Sequence, residues 1–462
     1  MSHIEVPANG ALATPPDSRG AGKWQIGSLT YTNAGLALLF FMLLVGDFVW
    51  ALKERGVTPI FQVELRRQGA SDFLVGIFVG SLPAIISMVV TPIVSVWSDR
   101  TRTRWGRRIP FLALPTPLIV LALLALAHVH ELAAMLAGSL GLASSTLLIL
   151  SLYGFFWTVF EVATLVANGV FTGLVNDVVP KAVIGRFFGL FRLVSLGAGI
   201  LFNTCIIGHA EEAFRPILYG IGGIYALGFS IMCLGVREGT YPPSPTQRLQ
   251  GSQSAVRSYV SLVLNNPYYR KIYVFIAVAA ITFLPVNAFS IFAAQSYGLS
   301  IEEYGKWMAG AFVVSIVTAY PMGFLADRFH PLKVGAGVLM VYVVTMVMAW
   351  IFVHDGLTYG VAFGVHVVLS GAFFTATAAL GPTLFPRLQF SQFAAAGIIA
   401  TALATMISTP LLGYLLDSLG RPYGLTFPLG GGIALVALLL WTVLWRNFKL
   451  LGGPSHYHPP EC

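Results

Sequence analysis

The 462-residue chain is too apolar to be an ordinary soluble protein. Charged residues make up 10% of it and hydrophobic residues 56%, whereas soluble domains average about 25% charged residues. The mean hydropathy is +0.78. A formal net charge of +8 would suggest nucleic-acid binding in a soluble protein. Here no nucleic acid is expected, because the excess of basic residues is explained by membrane orientation.

The first 32 residues differ from the rest of the chain. Residues 1–32 are polar and contain Pro and Gly, and we expect them to form a disordered cytoplasmic N-terminus. They lack the short apolar core and the small-residue cleavage site of a secretory signal. The apolar run that begins at residue 33 is too long for such a core, so it is predicted to be a permanent membrane span.

Twelve apolar runs are long enough to cross a bilayer, whose hydrocarbon core of about 30 Å requires about 20 helical residues. Backbone polar groups find no partners in lipid, so each run is predicted to be an α-helix. The expected fold class is an all-α membrane protein with twelve transmembrane helices. The runs cover residues 33–56, 73–97, 109–128, 145–170, 187–208, 215–235, 271–294, 304–325, 333–353, 356–380, 391–416 and 424–446.

Lysine and arginine fall unevenly on the two sides of the predicted spans. The side that holds both chain termini carries most of them, which by the positive-inside rule is the cytoplasmic side. The plasma (cytoplasmic) membrane is the expected location. The sequence predicts an N-terminal six-helix bundle at 33–235, a cytoplasmic linker at 236–270, a C-terminal six-helix bundle at 271–446 and a cytoplasmic tail at 447–462.

A weak internal repeat supports two equivalent bundles. WSDR at 97–100 ends the second run and LADR at 325–328 ends the eighth. NDVVP at 176–180 follows the fourth run, and TLFP at 383–386 follows the tenth. Parallel repeats of six helices enclose a central cavity near the middle of the bilayer. A chance match of four letters is the alternative explanation.

The connection after the second run is unusually basic. SDRTRTRWGRRIPF (98–111) places five arginines between Arg100 and Arg108. Its Asp-Arg pair, the basic residues that follow and its Gly resemble the loop signature of the major facilitator superfamily. The whole segment is most similar to the glycoside–pentoside–hexuronide:cation symporters, and closest to sucrose-type proton symporters. Ile109 stands where that family usually has an arginine.

Two further stretches resemble the same symporter family. FVWALKERGVTP at 48–59 is similar to its first-helix pattern, F-x-W-A-L followed by T-P. EVATLVANGVFTGLVND at 161–177 resembles its fourth helix, in which an acid is followed by V-A and, sixteen residues on, by Asp. The first acid is usually Asp and is Glu in this chain. The second half of the chain matches only at the level of the superfamily.

The resemblance implies an inner gate, a loop that locks the two halves together when the cavity faces outward. Asp99 would lie near a helix N-terminus of the other half, where an anion is favoured by roughly 0.3–1 kcal/mol. Arginines can form forked contacts with carboxylates such as Asp177. Gly106 would permit a tight reversal, and Pro110 suits a first helical turn. The expected gate residues are Asp99, Arg100, Arg104, Gly106, Arg107, Arg108, Asp177, Asp327 and Arg328. The alternative is that the arginines only anchor the loop to lipid phosphates.

An ionisable group in the middle of a span is costly and is functional by default. Glu161 lies near the middle of the fourth run, and Trp157, Thr164 and Asn168 share its face at helical spacings. A buried carboxyl can bind and release a proton, and the resemblance also implies that Glu161 is the proton-coupling acid. Arg192 in the fifth run is its expected partner. The alternatives are a structural ion pair for Glu161 and, for Arg192, a side chain that reaches the inner surface.

The first run carries the expected substrate-binding face. Asp47, Trp50, Glu54 and Thr58 share one side if the helix continues to Pro59. An aromatic plane flanked by hydrogen-bond acceptors suits a sugar, whose C–H face stacks while its hydroxyls donate hydrogen bonds.

Lys53 and Arg55 are close enough in sequence to neutralise these acids. The alternative is that residues 53–55 already lie outside the membrane in water. In the second half, Asn287 follows Pro285 at an expected helix break. A lone histidine such as His366 is more often a packing residue than a proton carrier. The expected substrate-binding residues are Asp47, Trp50, Glu54, Trp157, Asn168, Asn287, Gln295 and His366.

No catalytic signature is present in the sequence. It contains no G-x-S-x-G, H-E-x-x-H, G-x-x-x-x-G-K or C-x-x-C pattern, and HVHE at 128–131 is too weak to indicate a metal site. The three cysteines do not suggest a disulfide framework. We therefore expect no enzyme activity, no cofactor and no metal.

The expected function is secondary active transport of a glycoside or small oligosaccharide by alternating access. The expected coupling ion is the proton, with sodium as the alternative, and the other partner is the lipid bilayer around a monomer. A facilitator or exporter of another small solute on the same fold is the alternative transporter. From a different class, a membrane sensor would bind the solute without moving it.

Overall fold

The computed structural model describes residues 23–139, 145–240, 261–386 and 390–460. Six side chains inside helices also lie outside this description, those of Ser95, Val96, Asp99, Arg100, Ser391 and Ser455. Each predicted run forms a helix that is long and apolar enough to span a membrane. The chain is therefore an all-α membrane protein, as predicted.

The twelve spans are numbered α1 to α12 in chain order. They are α1 (Asn33–Arg67), α2 (Asp72–Val94), α3 (Ile109–Ala127), α4 (Thr146–Val178), α5 (Ile184–Cys205), α6 (Phe214–Gly235), α7 (Pro267–Ala288), α8 (Ile301–Phe329), α9 (Pro331–Phe352), α10 (Gly356–Leu384), α11 (Gln392–Ser418) and α12 (Tyr423–Leu450). Short helices outside the spans are Val129–Ser139, Ile207–His209, Ser290–Ser296 and Gly453–His456.

Several spans consist of more than one helical piece. In α7 the helix stops at Ile281 and resumes at Leu284, just before Pro285. Proline has no N–H and its ring clashes with the carbonyl four residues earlier, so the helix breaks where the sequence predicted. The pieces are Asp72–Gly76, the π-helix Ile77–Ser81 and Leu82–Arg100 in α2; Ile109–Ala113 and Pro115–Ala127 in α3; Pro267–Ile281 and Leu284–Ala288 in α7; Gly356–Thr377 and Leu380–Leu384 in α10; and the 3₁₀ turn Tyr423–Leu425 and Thr426–Leu450 in α12. Span α11 is part of a single helix, Phe390–Ser418.

The first helix extends well beyond the predicted run. Thr32 caps its start by accepting a hydrogen bond from the Gly35 N–H at 3.1 Å. It then continues through Pro59 to Arg67 without a break. The predicted run ended at residue 56, where Lys, Glu and Arg interrupt the apolar sequence. The polar residues near the predicted end therefore lie inside the helix, in the middle of the fold.

The spans pack as two groups of six. In the first group α1 packs on α5 and α6, α2 on α4, and α3 on α4 and α6. In the second group α7 packs on α11 and α12, α8 on α9 and α10, and α9 on α10 and α12. The groups meet through α2 with α11 and α5 with α8. These two pairs are equivalent under the internal repeat, because α2 corresponds to α8 and α5 to α11.

The two ends of the helices differ in how the groups are joined. We name the end that carries the 101–108 connection the loop end and the opposite end the far end. At the far end, the Phe73 N–H donates to the Asp417 carboxylate at 2.9 Å, and Gln295 donates to the Glu211 carboxylate at 3.1 Å. The hydrogen bonds recorded between described residues of the two groups lie at this end and around the middle.

Residues just before α1 form a β-hairpin, where the sequence predicted disorder. Strand β1 (Lys23–Ile26) pairs with strand β2 (Leu29–Thr32) around a tight turn in which Gly27 has a positive φ of 53°. Its Ser28 side chain accepts a hydrogen bond from the Thr240 N–H at 2.8 Å. Tertiary contact with the segment after α6 thus supports a hairpin that composition alone did not indicate. Residues 1–22 lie outside the description.

The chain after α12 folds back on the second group. The Tyr457 hydroxyl donates to the Leu384 carbonyl at 2.8 Å, and the Tyr269 hydroxyl donates to the Pro460 carbonyl at 2.8 Å. Tyr457 also packs against Phe448. The predicted tail is therefore attached to α7 and α10 at the loop end.

Candidate functional site

A cavity of about 520 Å³ lies between the two groups of helices. Its volume is in the range of ligand sites, roughly 300–1,000 Å³. Both groups contribute polar side chains to it. These are Glu54, Arg55, Thr58, Gln62 and Asn203 from the first group, and Asn287, Ser290, Tyr304, Thr405 and Thr409 from the second. Phe312 and Phe374 supply aromatic surface, and the buried Phe283 packs behind Phe374.

The first wall of the cavity is a polar stripe along α1. Glu54, Thr58 and Gln62 recur at four-residue spacing, so the uninterrupted helix presents them on one side. Arg55 lies beside them, donates to the Ser195 hydroxyl at 3.3 Å and stacks over Phe312 of α8 at 5.0 Å. The stripe was predicted as far as Thr58. Gln62 follows from the same spacing once the helix is known to pass Pro59.

A cluster of buried charges lies behind this wall. Lys53 is completely buried, with 0% of its surface exposed. Its ammonium group donates to the Thr164 hydroxyl at 3.1 Å and lies 3.7 Å from the centre of the Trp50 ring. Glu161 is 9% exposed, and both it and Glu54 interact electrostatically with Lys53. The arrangement links a carboxylate inside the bundle to one that lines the cavity.

Lys53, and not the expected Arg192, is the cation that interacts with Glu161. Residues 53–55 were considered to lie outside in water if the helix ended early, and that alternative is wrong, because α1 continues to Arg67. Glu161 interacts with Lys53 and Glu54, whereas the expected partner Arg192 is exposed and interacts with Arg55. Sequence spacing could not rank the two cations, because it does not show which helices touch.

Asp47 is buried deeper in the first group and does not line the cavity. It is 1% exposed, and its Oδ2 atom has no hydrogen-bond partner among the described residues. It interacts electrostatically with Arg55 and Glu54. A carboxyl group in this position is a second candidate for binding a coupling ion.

The two tryptophans predicted for the substrate site do not reach the cavity. Trp157 stacks on Phe61 with ring centres 4.0 Å apart and donates to the Phe78 carbonyl at 2.8 Å. Trp50 packs on Phe229 and beneath Lys53. Both are therefore core residues, and helical spacing alone could not distinguish a buried side from a cavity-lining side. Asn168 is exposed but is not among the residues that line the cavity.

The opposite wall contains a buried chain of neutral polar groups. Asn287 lines the cavity, and its Oδ1 atom lies 2.9 Å from His366 Nε2. The other ring nitrogen, Nδ1, lies 2.9 Å from the Tyr342 hydroxyl. His366 is 0% exposed, so it supports Asn287 and does not line the cavity itself. Gln295 is at the far end, bonded to Glu211, and not in the cavity.

The loop end holds the expected forked contact. Arg107 donates to Asp177 through Nε at 3.0 Å and through Nη2 at 2.6 Å, and Arg108 Nε donates to the same carboxylate at 3.2 Å. Gly106 has φ of 108° and closes a tight turn with Thr103. Asp177 belongs to α4, so these contacts lie within the first group and do not join the two groups.

A residue that sequence reasoning missed completes this cluster. Glu238, just after α6, accepts hydrogen bonds from the backbone N–H groups of Arg107, Arg108 and Ile109 at 2.9, 2.8 and 2.7 Å. Its carboxylate thus caps the start of α3, where an anion is stabilised. No local motif marks Glu238, because its partners lie more than a hundred residues earlier in the chain.

Other expected gate residues have fewer contacts. The side chains of Asp99 and Arg100 lie outside the description. Arg104 is exposed and lies over the Trp105 ring at 5.4 Å. Asp327 and Arg328 are exposed at the end of α8 and form no recorded ion pair with a described residue. Among the described residues there is also no group of three or more His, Cys, Asp or Glu that could hold a metal ion.

The far end holds a second ionic cluster, which the sequence did not predict. Arg66 donates to Asp72 at 2.5 Å and also to the Tyr423 hydroxyl. The Tyr423 hydroxyl donates to Asp72 Oδ2 at 2.9 Å, and Arg421 lies 3.7 Å from the same carboxylate. These contacts join α1 and α2 to the start of α12. Closure of the far end is therefore built from residues of both groups.

Comparison with known proteins agrees with this architecture. A family model described as MFS/sugar transport protein matches residues 60–420. No curated protein matches the chain. Among solved structures, a bacterial homolog of the human lysosomal transporter Spinster, in an inward-facing and unoccupied conformation, is 13% identical with a TM-score of 0.64, covering 92% of this chain and 98% of that one.

Two other solved structures are similar over nearly the whole chain. The nucleoside transporter NupG is 10% identical with a TM-score of 0.65, covering 88% of this chain and 99% of that one. A D-xylose–proton symporter is 12% identical with a TM-score of 0.62, covering 88% and 97%. At these identities the likeness concerns the fold alone.

Proposed function

Because the chain belongs to the MFS/sugar transport protein family, we propose that it is a proton-coupled symporter of a glycoside or small oligosaccharide. Family membership makes it a multi-pass membrane transporter of a small-molecule substrate and not an enzyme. The substrate, the coupling ion, a monomeric state and a location in the plasma membrane with the loop end in the cytoplasm are parts of the proposal.

The observation that carries the proposal is the chemistry of the central cavity. Glu54 and Gln62 on one wall and Asn287 on the other supply hydrogen-bonding groups from both helix groups. Phe312 and Phe374 supply apolar surface from aromatic rings. A sugar has hydroxyls for the first kind of group and C–H faces for the second. A ligand held from both sides also couples its binding to movement of the two groups.

The buried charges supply the proposed route for coupling. Glu161 is the proton site, and Lys53 is its neighbouring positive charge. Since Lys53 also interacts with Glu54, which lines the cavity, a proton on Glu161 changes the electrostatic field at the substrate site. By linkage, a proton that favours substrate binding is itself bound more tightly when substrate is present.

In this proposal, alternating access means that the far end is closed in one state and the loop end is closed in the other. The far end is closed by Arg66, Asp72 and Tyr423. Opening it breaks these contacts, and closing the loop end forms others through the 101–108 connection. The Arg107–Asp177 contact stays within the first group, so it holds the connection in shape for either state.

The proposal is tested with purified protein in liposomes. Counterflow of labelled mono- and disaccharides identifies the substrate, because a sensor binds sugar without exchanging it. Uphill accumulation driven by a pH gradient, and not by a sodium gradient, is the expected result for the identified sugar. Accumulation of the sugar in a sodium gradient alone would mean that sodium, and not the proton, is the coupling ion. If no sugar in the panel shows counterflow, the proposed substrate class is wrong.

A further inference from the structure

Three side chains form a line from the central cavity into the second group. Asn287 is exposed in the cavity, His366 lies behind it with no exposed surface, and Tyr342 lies behind the histidine with no exposed surface. The two contacts along the line are each 2.9 Å long. The direction of the hydrogen bonds in this line decides which atoms of Asn287 face the substrate.

The direction is set at the buried end. The Tyr342 hydroxyl has one hydrogen-bonding partner among the described residues, His366 Nδ1. A buried hydroxyl hydrogen without an acceptor is costly, and the large majority of buried side-chain polar groups are therefore hydrogen-bonded. Tyr342 satisfies its hydrogen by donating it to Nδ1. Nδ1 is consequently the ring nitrogen that accepts a hydrogen bond.

The position of the hydrogen on the ring decides which atom of Asn287 can face the ring. A neutral imidazole has one acceptor nitrogen and one N–H, so with Nδ1 accepting, Nε2 carries the hydrogen. The atom of Asn287 that faces Nε2 must then be an acceptor, which is its carbonyl Oδ1. A doubly protonated ring would place a charge in a fully buried position where no recorded contact is a carboxylate.

We propose that His366 is a positioning residue that turns the amide nitrogen of Asn287 into the cavity, so that this wall donates hydrogen bonds to the substrate. The opposite wall carries the Glu54 carboxylate, which only accepts. Arg55 is a charged donor on that wall, and it is held by Ser195 and Phe312, while the Gln62 amide donates to the Ala288 carbonyl. The substrate therefore presents an acceptor oxygen to Asn287 and a hydroxyl hydrogen to Glu54.

The inference rests on the proposed function for the kind of substrate and makes it more specific. Fluorine accepts a hydrogen bond weakly and cannot donate one. At the sugar position that faces Asn287, a fluoro analogue is expected to bind much better than a deoxy analogue. At the position that faces Glu54, both analogues are expected to bind equally poorly, because both lack the hydroxyl hydrogen.

The transport test uses a set of monodeoxy and monofluoro analogues of the transported sugar as competitors in counterflow. At one position of the sugar, the fluoro analogue is expected to compete at least about tenfold better than the deoxy analogue. In Asn287→Asp the cavity-facing atom becomes an acceptor, so that tolerance should disappear while the unmodified sugar, whose hydroxyl can rotate to donate, still competes. Equal loss for fluoro and deoxy analogues at every position would overturn the inference.

A second measurement needs no transport. In protein labelled with ¹⁵N-histidine, the two ring nitrogens of His366 give separate NMR signals, which are assigned by their disappearance in His366→Gln. The expected spectrum has a protonated Nε2 and a bare Nδ1. A protonated Nδ1 in the wild type would overturn the inference, whether or not any sugar is transported. Absence of sugar counterflow with the expected spectrum would contradict only the proposed substrate.

Two tyrosine variants complete the test. Tyr342→Phe removes the hydroxyl that fixes the ring, so His366 should lose its single tautomer and the fluorine preference should weaken. Tyr359→Phe is the matched control, because Tyr359 is buried in the same bundle but donates to the Ser290 carbonyl and not to His366. That control should keep the wild-type spectrum. A wild-type spectrum in Tyr342→Phe would contradict the role of its hydroxyl.

Discussion

The two six-helix groups place different chemistry at the middle of the membrane. The first group holds Asp47, Lys53 and Glu161 inside its bundle and Glu54 in the cavity. At the same depth the second group holds the neutral groups that surround His366, among the residues described. The groups are built on one repeat, yet among the residues that the structure describes the mid-membrane charges belong to the first group. Repeated architecture therefore does not imply repeated function.

The difference indicates a division of labour. Charged groups in a bilayer are costly and persist where they bind or move ions. A chain of neutral hydrogen bonds cannot carry a coupling ion so readily, but it fixes the orientation of its last member. We expect variants of the first group to change energy coupling and variants of the second to change substrate selection.

The largest expected effect is that of Glu161→Gln. This change keeps the size of the side chain and fixes it in a neutral, protonated-like form. Counterflow requires no net proton movement and should stay within about threefold of wild type, whereas uphill accumulation in a pH gradient should be lost. Both are measured in the same liposomes with the same labelled sugar.

The matched control for that variant is Glu64→Gln. Glu64 is also a buried glutamate of the first group, but it accepts from the Tyr153 hydroxyl at 3.0 Å near the far end. It should retain accumulation. If Glu161→Gln still concentrates the sugar, the proton site lies elsewhere, and Asp47 is the next residue to test.

A large effect on stability is expected for Lys53→Met. Removing the ammonium leaves Glu161 buried beside Glu54 without the positive charge that interacts with both, so the single variant should unfold at a clearly lower temperature than wild type. The double variant Lys53→Met with Glu161→Gln removes both charges and should recover much of that loss. Thermal unfolding of the detergent-purified proteins measures it. Equal destabilisation of the single and double variants would disprove the electrostatic pairing.

An intermediate effect is expected at the place where the two groups join. Asp72→Asn weakens the bonds to Arg66 and Tyr423, and a hydrogen bond to a charged group is worth about 1.5–3 kcal/mol. The far end should open more often, so a cysteine placed at Thr409 should react faster with a membrane-impermeant thiol reagent. Asp417→Asn, which weakens the bond to the Phe73 N–H and the pair with Arg421 but leaves the Asp72 carboxylate in place, should show a smaller increase. No change in either variant would mean that the ionic cluster does not hold the far end closed.

The smallest effect is expected for Arg192→Gln. Arg192 is exposed and, among the described residues, has no hydrogen bond or ion pair with Glu161, so the change should alter the free energy of unfolding by no more than about 0.5 kcal/mol. Coupling in a pH gradient should be close to that of wild type. Loss of accumulation comparable to that of Glu161→Gln would restore Arg192 as the partner of the proton site.

The sequence was most informative where length and polarity decide the structure. A membrane leaves few options for a 20-residue apolar run, so all twelve spans were predicted. The break before Asn287 followed from Pro285, and the turn at Gly106 from the freedom of glycine. These features depend on local chemistry, which neighbouring residues specify.

The sequence was least informative where distant residues meet. Lys53 looked like a helix end because three charged residues follow an apolar run, and only packing against Trp50 and Thr164 shows that it is buried. Trp157 shares a helical stripe with Glu161 but packs on Phe61. Gln295 looked like a site residue but bonds to Glu211 at the far end. Periodicity shows which residues share a side, but not what that side faces.

The bonds of Glu238 have a mechanical consequence for the connection between the two halves. Glu238 is fixed to the start of α3, and the next anchored residue, Thr240, is bonded to Ser28 of the hairpin. The tether between the halves therefore begins after residue 240 and not at the end of α6. The described chain resumes at residue 261 as a helical turn in which Val263 is buried, so twenty residues separate the two described segments. Twenty residues can span at most about 70 Å, so chain length alone does not fix the separation of the two halves, and the described contacts that do so lie at the far end and around the middle.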